Sequence, residues 1–67
     1  MSPFRTYSVV LEDIVWCDPV ESSNIVWMCE VRAVGPESAA QLAVHMLAES
    51  SGHEVESCQP SVVEIVD

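Results

Sequence analysis

Residues 35–52, GPESAAQLAVHMLAESSG, decide the fold of this chain. Pro36 suits the first helical position, where its missing N–H removes no hydrogen bond. Glu37 follows it at the positive end of the helix dipole. Ala39, Ala40, Ala43, Val44, Met46 and Leu47 then form one broad apolar stripe, with Gln41, His45 and Glu49 away from its centre. Gly52 ends the run as a left-handed cap. The spacing predicts one helix over 37–51, and its alanines imply close approach to whatever it packs on.

Strands flank this helix on both sides. Thr6 to Trp16 (TYSVVLEDIVW) is rich in β-branched and aromatic residues and alternates imperfectly. Val9, Leu11 and Val15 share one face with Asp13, while Val10, Ile14 and Trp16 share the other with Glu12. Such a strand has apolar character on both faces. Cys17 to Asn24 reads as a turn by composition. Ile25 to Val34 is a second strand, with Ile25, Trp27, Cys29, Val31 and Ala33 on one face and Val26, Met28, Glu30, Arg32 and Val34 on the other. The two strands form an antiparallel hairpin.

After the helix, His53 to Cys58 and Ser61 to Val66 have strand character, interrupted by Pro60. Proline is confined to sheet edges and bulges, so this tail is one bulged edge strand or two short ones. The whole is an α+β fold, ββαβ(β), with one helix on one face of a small, mainly antiparallel sheet of three to four strands. A right-handed crossover through the helix sets the third strand beside the first, in the order 2-1-3. One helix covers one face, so Val10, Ile14, Val26 and Met28 are left on the other. Monomers rarely keep a large apolar patch, which points to a homodimer through sheet faces or edges, or to a dedicated protein partner.

Composition bounds what the partner can be. The 67 residues, one domain over 1–67, carry eleven acids against Arg5 and Arg32, no lysine, and a formal charge of −9. A nucleic acid or an anionic membrane surface would be repelled. Yet 49% of the residues are hydrophobic, a globular composition. No run approaches a transmembrane span, and the start MSPFR lacks the apolar stretch of a signal peptide, so the chain reads as cytoplasmic and complete.

Motifs for chemistry are absent. Cys17, Cys29, Cys58, His45 and His53 are possible metal ligands, but no CxxC or HxxxH spacing occurs, and the two histidines fall on opposite ends of the helical region. Cys17, Cys29 and Cys58 read as reduced thiols, two of them buried as small hydrophobes. Ser50-Ser51-Gly52-His53 reads as helix-end chemistry, and two glycines cannot build a phosphate loop. No catalytic, metal or cofactor site is assigned.

The pattern of Val31 to Val66, a strand ending at Ala33, Pro36-Glu37-Ser38-Ala39-Ala40 opening a helix, then Val55 and a valine-rich terminal strand, resembles small bacteriophage-encoded accessory proteins of ββαβ type. It is similar in outline to the βαβ module of the archaeal ribosomal protein LX family, which is basic, so that family's RNA binding does not carry over. The phage resemblance implies a regulator that docks on a host protein. The residues proposed for that contact are Trp16 and Met28 as apolar anchors, with Asp18, Glu21, Glu54 and Glu56 steering a partner with a basic surface. The alternatives are a structural protein acting by self-oligomerisation, an acidic nucleic-acid mimic, or a metal-binding or enzymatic domain using Cys58 and His53.

Overall fold

The computed structural model describes residues 2–17 and 26–66. Its elements run β1 (Arg5–Trp16), β2 (Trp27–Ala33), α1 (Pro36–Ser51) and β3 (Val55–Ile65). The three strands make one sheet in the order β2-β1-β3, and both strand pairs are antiparallel. This is the ββαβ arrangement expected, with three strands. The tail is a single strand that carries Pro60 on the sheet edge, where a missing N–H can face solvent. The turn expected over 17–24 lies almost wholly outside the described residues.

The helix is bounded as its end residues dictate. Gly35 is extended and its carbonyl accepts the Ala39 N–H at 3.0 Å. Gly52 takes φ 76°, the left-handed region a glycine enters without steric penalty, and donates its N–H to the Ala48 carbonyl at 2.9 Å. The Ser51 hydroxyl accepts the His53 N–H at 3.2 Å and donates to the Ala48 carbonyl at 3.3 Å. Ser51, two residues before His53, therefore closes the helix end.

The core lies between helix and sheet. Tyr7, Val9 and Leu11 of β1, Val31 and Ala33 of β2, and Ala39, Ala43 and Leu47 of α1 are buried. Val9 and Leu11 are fully buried, each contributing about 1.5–3 kcal/mol relative to an exposed side chain. Ala39, Ala43 and Leu47 repeat every fourth residue, a narrow line of contact. Met46, placed in the buried stripe by sequence, is 42% exposed on the flank of that line.

A larger correction falls on β1. Between the pairs Glu12↔Gln59 and Val15↔Ser57, β1 advances three residues while β3 advances two; from Val15 to Trp16, β1 advances one while β3 advances two, to Val55. Asp13, with φ 48°, marks the extra residue of a β-bulge. A one-residue slip exchanges the faces of everything beyond it. Ile14 and Trp16 consequently pack against the core, and Val15 is 47% exposed. The sequence alternation placed these three the other way round.

Candidate protein interface

The face of the sheet away from the helix is a lattice of cross-strand pairs fixed by the register. Val10 lies between Met28 and Ser61, Ser8 between Glu30 and Val63, and Thr6 between Arg32 and Ile65. Directly opposed residues on adjacent strands point to the same side, so these nine side chains share one surface. Met28 is 67% exposed and Val63 64%. Val10 and Ile65 are half-buried by their neighbours on the lattice. The surface is thus apolar at two diagonal corners and polar along its middle, with one cation and one acid on β2.

The proposed contact residues divide between two regions. Met28 stands on this outer face, as sequence placed it. Trp16 does not: the Asp13 bulge turns it toward the core, where it meets the His53 ring edge-on at a centroid distance of 6.2 Å. Glu54 accepts the Cys17 N–H on its carbonyl at 2.9 Å, beside the start of β3, and Glu56 is exposed on β3. Trp16 pairs with Val55, whereas Met28 and Val10 sit level with Ser61, roughly 20 Å further along the ladder. Asp18 and Glu21 lie outside the described residues. Trp27 is half-buried against the core.

Among the described residues, one open groove lies at an end of the sheet and another at the end of the helix, and sequence found neither. One, of about 290 Å³, is lined by Phe4, Arg5, Thr6, Arg32, Glu64, Ile65 and Val66. It gathers both cations of the chain at one end of the molecule, with Arg5 Nε 3.5 Å from Glu64 Oε1. The other, of about 360 Å³, is lined by His45, Ala48, Glu49, Gly52, His53 and Glu54. The two histidines, assigned by sequence to opposite ends of the helical region, therefore share a groove. His45 Nε2 lies 3.1 Å from Glu49 Oε1, an i,i+4 contact in solvent. Among the described residues no group of three His, Cys, Asp or Glu could hold a metal ion.

The thiols expected to be buried are only partly so. Cys29 and Cys58 are half-buried against the core, and burial pushes both thiols up from their ordinary range, which keeps them protonated at neutral pH. Cys17 is exposed. No helix among the described residues is long and apolar enough to cross a membrane. No protein-family model, curated protein or solved structure matches the chain.

Proposed function

We propose that this is a non-enzymatic, cytoplasmic protein-binding module that works as a homodimer and docks on a basic protein partner through the uncovered face of its sheet. The exposure of Met28 and Val63 on a face that no element among the described residues covers carries this reading. Two such side chains on one surface are what an interface buries first, each contributing about 1.5 kcal/mol or more when fully desolvated. The charge of −9 supplies the steering, since a field of one sign raises the encounter rate with a partner of the other. The likeness in residue pattern to phage accessory proteins supports a regulatory role, with a protein of the host as target.

The test separates the apolar contact from the steering. Val63→Gln keeps the net charge and alters only the outer face. It is expected to weaken capture of a host protein roughly tenfold, with the circular dichroism of the chain unchanged. Raising the salt is expected to slow association for both proteins. Capture that is indifferent to Val63→Gln and to salt alike sinks the reading. Open-ended assembly in light scattering would favour a structural protein instead.

A further inference from the structure

We infer that the partner of the β2 edge is a second copy of this chain, paired antiparallel to itself about Val31. The inference rests on the homodimer reading above and names the surface and register that would build it.

The two edges of the sheet differ. β3 carries Pro60, a compensated bulge and the acids Glu56 and Glu64, features that discourage strand addition. β2, WMCEVRA, has neither proline nor glycine, and among the described residues it is hydrogen-bonded on one side alone, by β1. It is the unguarded edge.

Register follows from the pleat. Opposed residues of an antiparallel ladder share both face and hydrogen-bonding role. Two copies of β2 must therefore pair even-numbered residues with even and odd with odd. Centring the dyad on Glu30 opposes two glutamates, and centring it on Arg32 opposes two arginines; like charges directly opposite are unfavourable. Centring it on Val31 places Glu30 of each copy opposite Arg32 of the other, twice. The same register sets Met28, 67% exposed, opposite Val34, 59% exposed.

The other face fits independently. The register sets Cys29 against Ala33 and half-buried Trp27 against Gly35. Gly35 lies two residues past the end of β2 with extended φ and ψ, and a Cβ there would meet nothing within 4 Å. An indole laid across a glycine of a neighbouring strand fills such a space. The dimer would be one continuous six-stranded sheet, both helices on the same side, with an uninterrupted outer face.

Charge exchange tests this on the full chain, by sedimentation equilibrium across a wide concentration range. Glu30 and Arg32 are both exposed, so the variants are expected to fold, which circular dichroism checks. Arg32→Glu and Glu30→Arg are each expected to weaken the dimer roughly tenfold, since two attractive pairs become two repulsive ones. The double variant E30R/R32E restores wild-type affinity. Glu30→Arg is the decisive arm, because it lowers the net negative charge and would tighten any dimer limited by overall repulsion alone. A dimer that Glu30→Arg leaves unchanged or tightens, or that the exchange fails to restore, overturns the β2 register while leaving a homodimer standing. A monomer at every concentration overturns both.

Discussion

Asp13 does more to shape the molecule than any other single residue of β1. Sequence placed it on the face of Leu11, and the alternation from there assigned Ile14 and Trp16 to the outside. The acid was nonetheless legible as a defect: Glu12-Asp13 interrupts an apolar run, and aspartate is among the few residues that tolerate φ above zero. What sequence could not supply was the count of residues on β3 opposite it, a long-range fact that decides whether the ladder slips. The bulge makes Asp13→Val a sharp test. Valine is a strong strand former, so a regular strand would be stabilised by it. At φ 48° a β-branched side chain is strained, and Asp13→Val is expected to lower stability by about 1–2 kcal/mol while Asp13→Gly does not lower it. Urea midpoints decide: a higher midpoint for the valine variant would remove the bulge from the account.

The helix was the most legible element, because its start and stop are local. Pro36 and Gly52 act through their own backbones, with no reference to the rest of the chain. The buried stripe was read too broadly, and the reason is geometric. Ala39 and Ala43 are fully buried, so the helix axis sits close to the sheet along the line to Leu47. A close approach leaves the flanks, Leu42 at 43% and Met46 at 42%, in contact with water. This spacing predicts opposite tolerances for two neighbouring positions. Ala43→Leu inserts three carbons where there is no room and is expected to cost about 1–3 kcal/mol. Leu42→Ala, on the flank, is expected to cost less than about 1 kcal/mol. Equal losses in denaturant titrations of the two variants would mean that the alanine line does not set the helix–sheet distance.

At the scale of the whole molecule, sequence gave a correct parts list and an incomplete map. The strand order followed from the crossover, whereas which face the helix covers did not. The gathering of Arg5 and Arg32 at one end followed only from the Thr6↔Arg32 register, and the distance between Met28 and Glu54 only from the two ladders together. Charge is where these placements have a collective consequence. Among the described side chains, the Arg5–Glu64 ion pair and the His45–Glu49 contact are both exposed. Each such pair is worth about 0–1 kcal/mol. Against them stands the mutual repulsion of eleven acids in a molecule about 44 Å long and 17 Å across. At low salt the Debye length approaches about 30 Å, so most acids repel most others; at physiological ionic strength it is about 8 Å and few do. Repulsion therefore outweighs attraction, and sodium chloride is expected to stabilise the fold. A relief of about 1 kcal/mol would raise the melting temperature by roughly 4–8 °C at fixed protein concentration. A melting temperature that falls with added salt would mean that specific ion pairs, and not net charge, govern the stability of this protein.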